Sequence, residues 1–355
     1  MSTDWESGYG VSFEFWEVDK DTFKDARRLY YVEECEIVRD AGDETLGSAT
    51  MTIGDRTIDE ETYIRVYLMA EQPAGSGNVE RVCLGTFLSQ VPIVKMDGKG
   101  LERPLELSTP LKELADDNPP AGYTVRAGAD AVKALEYIHK RGHVKVVHST
   151  ATAKVPKDIT ANDSDTWLSF GTAVLESVNM ERTLDPYGYV GFAPVKDAGA
   201  LATSYTYADN FVSILMPEAE LTCDWHNVPN VVEVLVSTSS TLFKVLCVND
   251  DPSSNVSTVK RGRIKRERVN NPEGVTTKEQ AQVYARSKLR ELSCSEREVT
   301  YTHGYCPVRL GDGVRLYYGE YSLDCDLKVK RQVIRCRTDL EVEETGTYTE
   351  VLWNG

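Results

Sequence analysis

Two short motifs hold residue types that can do chemistry. His139 and His143 stand four apart, one helical turn, and His148 follows. Imidazoles at that spacing can share a metal ion. Lys140, Arg141 and Gly142 fill the gap, so the H-E-x-x-H pattern of a zinc hydrolase is absent and the nearby cations oppose a metal. The expectation is a solvated helix end, with its histidines near the negative end of the helix dipole. The second motif, His303-Gly304-Tyr305-Cys306, sets a thiol near an imidazole. A cysteine nucleophile needs a histidine that lowers its pKa and a third group that orients that histidine. On an alternating strand, residues 303 and 306 point to opposite faces. Cys306 is therefore expected to be a buried structural thiol.

Adjacent carboxylates occur at Glu33-Glu34, Asp116-Asp117, Asp250-Asp251 and Glu343-Glu344. A carboxylate pair is the machinery of glycoside hydrolysis, but these pairs fall mostly in turns or element ends and read as solvated surface. Asn249-Asp250-Asp251 has the composition of a calcium-loop fragment without EF-hand spacing. No G-x-G-x-x-G follows a strand, and neither a P-loop nor a G-x-S-x-G is present. Nucleotide-dependent catalysis is disfavoured, and no catalytic residue, cofactor or metal is assigned. The one charge anomaly is a run of six cations, Lys260, Arg261, Arg263, Lys265, Arg266 and Arg268, with the single anion Glu267 among them. It reads either as a solvated strand face or as an electrostatic contact with an acidic neighbour, such as another copy of this chain. Nucleic acid is a third option, weakened by the lack of interleaved aromatics.

That run stands out because the chain is acidic. Its 355 residues hold 40 Lys and Arg against 56 Asp and Glu, a net charge of −16. This sign argues against a protein whose main task is to grip DNA or an anionic membrane. The length suggests two or three domains and a core that needs no disulfide or metal staple. The eight cysteines are scattered with no C-x-x-C pair, which disfavours a zinc ribbon or a disulfide scaffold. The acidic start lacks a signal-peptide pattern, and no apolar run nears the ~20 residues of a membrane span. A chain kept in a reducing cytosol is expected, with its cysteines as thiols.

The elements that must position these residues are mostly strands. Tyr63 to Leu68 alternates, with Ile64, Val66 and Leu68 on one face and Tyr63, Arg65 and Tyr67 on the other. Similar short strands precede and follow it. Turn signals lie between them at 40–43, 73–78 and 97–100, so residues 1–108 read as an antiparallel barrel or sandwich. The polar, proline-rich stretch 115–122 is the best boundary. After it, Ala131, Ala134, Leu135 and Ile138 mark a helix, with Gly142 suited to a left-handed C-terminal position. Trp167, Phe170, Val174 and Val178 mark a second helix, capped by Asp163 or Asp165. Asp185-Pro186-Tyr187-Gly188 is a type I turn leading into a strand. Residues 109–218 thus form a small α+β insert, helix–helix–hairpin. From 219 to 355 the period returns to two, as in Val232, Val234 and Val236. One helix over 277–292 interrupts this second β-domain, opened by the capping box Thr276-x-x-Glu279. The fold class is mainly β with an α+β insert.

The order of these features resembles the tail hub proteins of long-tailed bacteriophages. The N-terminal part of the resemblance runs from Phe13-Glu14-Phe15-Trp16 through Val32 to Asp40 and Glu44 to Thr50, then Tyr63 to Leu68 and Leu84 to Leu88. The insert contributes Asp163 to Leu168 and Asp185 to Pro194. Pro229 to Val234, Val248 to Pro252 and His303 to Asp312 complete it. The resemblance implies a structural protein of the tail tip or baseplate, found in the virion and assembled in the host cytoplasm. It implies two tube-like β-domains per chain and a homotrimer, giving six such domains around an axis and adapting a sixfold tube to a threefold tip. The implied partners are a distal tail ring protein, a tape-measure protein and tip, spike or receptor-binding proteins. DNA would pass transiently through the lumen, which an acidic wall would keep from adhering. Any cell-wall-degrading device is expected on a separate chain. Two other readings remain: a tail-associated cell-wall hydrolase, glycosidase or peptidase, and a host-glycan-binding module supported by five Trp and eighteen Tyr.

Overall fold

The computed structural model describes residues 3–54, 60–90, 95–97, 100–146, 149, 151–210, 213–237 and 242–355. The chain is mainly β with a few helices. Contacts divide it into two compact units: unit 1 holds residues 1–219 and 300–346, and unit 2 holds residues 220–299 and 347–355. The expected segment 219–355 is therefore split. Its final strands carry residues 300–346 into unit 1, because alternation tells which way a side chain points but not which distant strand it will pair with.

The first eight strands are β1 (Gly10–Val18), β2 (Asp25–Leu29), β3 (Val32–Asp40), β4 (Gly47–Ile53), β5 (Tyr63–Glu71), β6 (Val79–Ser89), β7 (Lys95–Asp97) and β8 (Gly100–Ser108). Next come α1 (Lys112–Ala115), β9 (Thr124–Val125), α2 (Ala131–His139), β10 (Lys145–Val146), β11 (Ile159–Thr160) and α3 (Trp167–Ser177). They are followed by β12 (Met180–Leu184), β13 (Tyr189–Pro194), β14 (Thr203–Ala208) and β15 (Leu215–Cys223). After the strands of unit 2, the chain continues through β19 (Cys294–Gly304), β20 (Gly313–Tyr318), β21 (Leu323–Arg335) and β22 (Glu341–Val351). A fourteen-stranded sheet runs in the order β15-β19-β22-β21-β3-β4-β8-β6-β5-β1-β2, with β7 beside β8 and β20 bridging β14 and β21. In unit 1 the join between early and late sequence is the antiparallel pair β3–β21, Arg39 opposite Gln332 and Ile37 opposite Ile334.

Among the described residues, unit 1 holds two large apolar cores and a small cluster of Val18, Phe23, Tyr63 and Leu88. The first joins Ile37, Met51, Ile53, Val66, Leu68 and Leu84 to the late residues Tyr305, Ile334 and Val342. The second belongs to the insert and includes Leu135, Ile138, Trp167, Phe170 and Val174. The predicted helical stripes are these buried faces. Strand β5 is buried on both faces, not one. Arg65 donates to Thr86 Oγ1 at 2.8 Å and to the Tyr187 carbonyl at 3.2 Å, so the turn after β12 covers the face that carries Tyr63, Arg65 and Tyr67. Gly188 in that turn has φ +85°, a conformation glycine adopts at little cost.

Three local expectations shift. Helix α3 is capped by Thr166, whose hydroxyl accepts from the Ser169 N–H, rather than by Asp163 or Asp165. Helix α2 ends at Lys140, and Gly142 is not left-handed. Instead, a Cβ at Gly142 would collide with the Glu113 carboxylate, so the glycine serves close approach.

Unit 2 contains β16 (Val231–Ser237), β17 (Leu242–Val248), α4 (Thr258–Arg261), β18 (Arg266–Asn270) and α5 (Lys278–Leu292). Its sheet order is β17-β16-β18, antiparallel between β16 and β17 and parallel between β16 and β18. Helix α5 does not interrupt a barrel. Its Ala281, Ala285 and Leu289 cover one face of this sheet, against Val232, Val234, Val236, Phe243 and Val245. The third shift lies here: the capping box is one residue later than expected, Thr277 with Gln280. Among the described residues no helix is long and apolar enough to cross a membrane.

Candidate functional site

The six cations of the basic run are mostly engaged inside unit 2. Lys260 donates to the Ser253 carbonyl and to Asn255 Oδ1. Arg261 donates to the carbonyls of Val228, at 2.7 Å, and Trp225. Lys265 Nζ lies 2.7 Å from the His226 carbonyl and 3.1 Å from Asn227 Oδ1. Arg261 and Lys265 thus tie the loop 225–228 to the segment before β18, and Lys260 ties the turn 253–255 to the same segment. Arg266 and Arg268 sit on β18, in register with Val231 and Glu233 of β16. Both reach the Glu233 carboxylate at 3.1 Å, and Lys244 of β17 reaches it at 3.2 Å. Burial pushes the Glu233 pKa up, but the hydrogen bond from Lys244 and the three positive charges outweigh it and hold the carboxyl below its usual range. Arg263 makes no side-chain hydrogen bond or ion pair among the described residues. The six thus divide into three loop ties, two members of a charge cluster and one exposed cation. The sequence pointed to the run but not to Glu233 or Lys244. The lone acid in Val231-Val232-Glu233-Val234-Leu235-Val236 was the available signal.

The thiol and imidazole of the 303–306 motif do converge. Strand β19 ends at Gly304, so alternation stops before Cys306. Tyr207 of β14 receives both: its hydroxyl is 3.2 Å from His303 Nε2 and 2.9 Å from Cys306 Sγ. Opposite, His303 Nε2 lies 3.6 Å from Glu344 Oε2. Glu344 accepts from the Tyr301 hydroxyl and from Gln332 Nε2, each at 2.5 Å. Gln332 Oε1 accepts from Arg39 at 2.8 Å. Strands β3, β14, β19, β21 and β22 therefore meet in one polar network. Every one of Tyr207, Tyr301, His303, Cys306, Gln332 and Glu344 is at most 2 % exposed.

Burial alone would lower the His303 pKa. Hydrogen bonds involving Cys306 and Glu344, together with the Glu344 charge, reverse this and raise it to about 10. His303 is thus a buried imidazolium at neutral pH, with Nδ1 donating to the Gly304 carbonyl at 2.6 Å. An imidazolium beside a thiol is compatible with a thiolate, but both groups are enclosed, and among the described residues the network has no opening to a substrate. The Cys306 site is an enclosed structural cluster. Glu344 corrects the reading of Glu343-Glu344 as solvated surface. It shares the inward face of β22 with Val342 and Gly346, a period-two signal present in the sequence.

His139 has the opposite character. Its Nδ1 donates to the Leu135 carbonyl at 2.8 Å and its Nε2 accepts from Arg182 Nε at 2.9 Å. Burial, with the adjacent Arg182 charge, pushes its pKa down to about 3, so it is neutral. It is buried rather than at a solvated helix end. His143 pairs instead with Glu113, 2.9 Å away, and His148 lies outside the described residues. Asn249 closes a turn, donating to Ser254 Oγ at 3.0 Å and accepting from the Asp251 N–H. No group of three or more His, Cys, Asp or Glu side chains is arranged to hold a metal among the described residues.

No family model matches the sequence, and no curated protein does. Solved structures do match in fold. A tail protein from Neisseria meningitidis MC58 superposes with a TM-score of 0.63 at 15 % identity, covering 98 % of each chain. The 43 kDa tail protein of prophage MuSo2 from Shewanella oneidensis gives 0.61 at 13 % identity, over 95 % of this chain and 98 % of that one. A PdpA–VgrG complex from Francisella gives 0.59 at 8 % identity, over 96 % of this chain and 58 % of that one. From end to end, this chain has the fold of phage tail proteins.

Proposed function

We propose that this chain is a structural protein of a phage tail or phage-derived tail tip, a hub rather than an enzyme. The observation that carries the proposal is the end-to-end likeness to the Neisseria tail protein, which spans both chains almost completely. In this reading three copies assemble around an axis, each giving two tube-like β-domains from the fourteen-stranded sheet. The trimer adapts a sixfold tube to a threefold tip and lines the channel through which DNA leaves. A distal tail ring protein and a tape-measure protein bind one side, and tip, spike or receptor-binding proteins the other. Assembly takes place in the host cytoplasm.

The charge supports this reading. Unit 2 holds twelve acidic and twelve basic residues, so the whole excess of sixteen negative charges lies on unit 1. An acidic wall repels DNA and lets it pass. Burial counts against the hydrolase reading's thiol candidate, since Cys306 and His303 are sealed from any substrate. Mass spectrometry of purified tail particles tests the proposal. The chain should be present at low, constant stoichiometry with the tail, and its absence from intact tails overturns the reading.

A further inference from the structure

The three-stranded sheet of unit 2 has one covered face and one barer face, buried along β16 at Val231 and Glu233 but exposed along β17 and β18. Helix α5 packs on the first. On the second, cross-strand register sets Arg268 beside Glu233 and Leu246, and Arg266 beside Val231 and Val248. Lys244 and Leu242 extend the same face along β17. Leu242 is 75 % exposed, and Leu246 and Val248 are each 41 % exposed. Alternate residues of β17 thus offer apolar side chains to water, which a solvated strand face would replace with polar ones.

The charges on this face are unbalanced. Glu233 offsets one of the three cations that converge on it, leaving a local charge of +2. Glu233 is itself almost buried, while the Arg268 and Lys244 side chains are 67 % and 51 % exposed. Their outward sides are open to further carboxylates. The face is therefore apolar and cationic together. Cations bring an acidic partner into register, and leucines exclude water around the pairs once it is seated. Unit 1 of another copy supplies the complementary sign, because it carries the whole negative excess of the chain.

We infer that the barer face of β17-β16-β18, centred on Lys244, Leu246 and Arg268, seats an acidic surface of unit 1 from a second copy of this chain. This rests on the self-assembling reading above and adds the surface that does it. It also moves the contact away from the 260–265 loop. Lys260, Arg261 and Lys265 already hold that loop together, so Arg266 and Arg268 are the members of the run that face the partner.

The test mixes ¹⁵N-labelled and unlabelled full-length chain. Carboxylates are coupled to amines with a zero-length carbodiimide, and the particle mass is recorded in parallel. Expected are mixed-isotope cross-links from Lys244 to Asp or Glu within 1–219 or 300–346, fading as salt rises from ~0.05 to ~0.5 M. Leu246→Asp should cut the assembled fraction at least ~10-fold, a difference of about 1.4 kcal/mol. Val283→Asp, at an exposed position on α5, should leave it unchanged. Both sites are exposed, so both variants should fold, which near-UV circular dichroism checks. Trimers without intermolecular Lys244 cross-links, or with equal effects of the two variants, overturn this inference and leave the hub reading standing. Monomers at every concentration overturn both.

Discussion

Glu344 in unit 1 and Glu233 in unit 2 are both hidden carboxylates on strands, yet their surroundings differ in kind. Glu344 is enclosed with a buried imidazolium, a phenol and an amide, none reachable by water. Glu233 lies under three long cations whose side chains are 33 to 67 % exposed. Removing water from a charge costs several kcal/mol unless close partners compensate. Losing one member of the first cluster strands a buried charge, whereas the cations of the second stay solvated whatever happens to their carboxylate. One is a structural fastening between distant strands. The other is a charged surface with a carboxylate setting its shape. The overall charge divides the same way, with the excess on unit 1 and balance on unit 2.

The largest expected effect tests that contrast directly. Glu344→Ala leaves His303 buried and unpaired and should cost about 3–5 kcal/mol of unit 1 stability. Glu233→Ala should shift the unit 2 midpoint far less, because its cations relax into water. Urea unfolding followed with probes in each unit measures both. Equal midpoint shifts would break the distinction.

A second effect separates the two buried histidines of unit 1. The His303 pKa is raised to about 10, so its contribution is complete below the unfolded value near 6.5 and is lost as pH climbs through 10. The His139 pKa is depressed to about 3, so its contribution holds above 6.5 and falls away toward pH 3. Unit 1 stability should therefore peak near neutrality and decline on both sides. Burial first, then the Glu344 charge, also raises the Tyr207 and Tyr301 phenols, which adds to the alkaline loss above pH 10. His303→Gln should flatten the alkaline limb between pH 7 and 10 and leave the acid limb alone. An unchanged alkaline limb would mean that His303 is neutral in the fold.

The helices and strands that carry these groups were largely legible from periodicity. Ala131, Leu135 and Ile138, or Ala281, Ala285 and Leu289, bury as their spacing predicts. Pairing was not legible. Strand β3 lies against β21, almost 300 residues later, and nothing local in either names the other. The His303–Cys306 geometry was missed for a related reason. Alternation holds only to Gly304, where the strand stops, so it does not reach Cys306. Glu233 and Glu344 were missed because type was read before face. A carboxylate in step with valines is buried, and its partners come from strands that the sequence could not align.

A smaller effect checks the corrected start of α5 in unit 2. Thr277→Ala removes the hydroxyl that accepts from the Gln280 N–H and should cost about 1 kcal/mol. Thr276→Ala removes only an exposed hydroxyl bond to Gln280 Oε1 and should cost a few tenths of that, about 0.3 kcal/mol. Reversed sizes would return the cap to Thr276.

The proposed hub assembles in threes. Mass photometry of the purified full-length protein near ~0.05 M salt tests it most directly. The expected result is a population at three times the monomer mass, diminishing as salt is raised. A single monomer peak at every protein and salt concentration would contradict it.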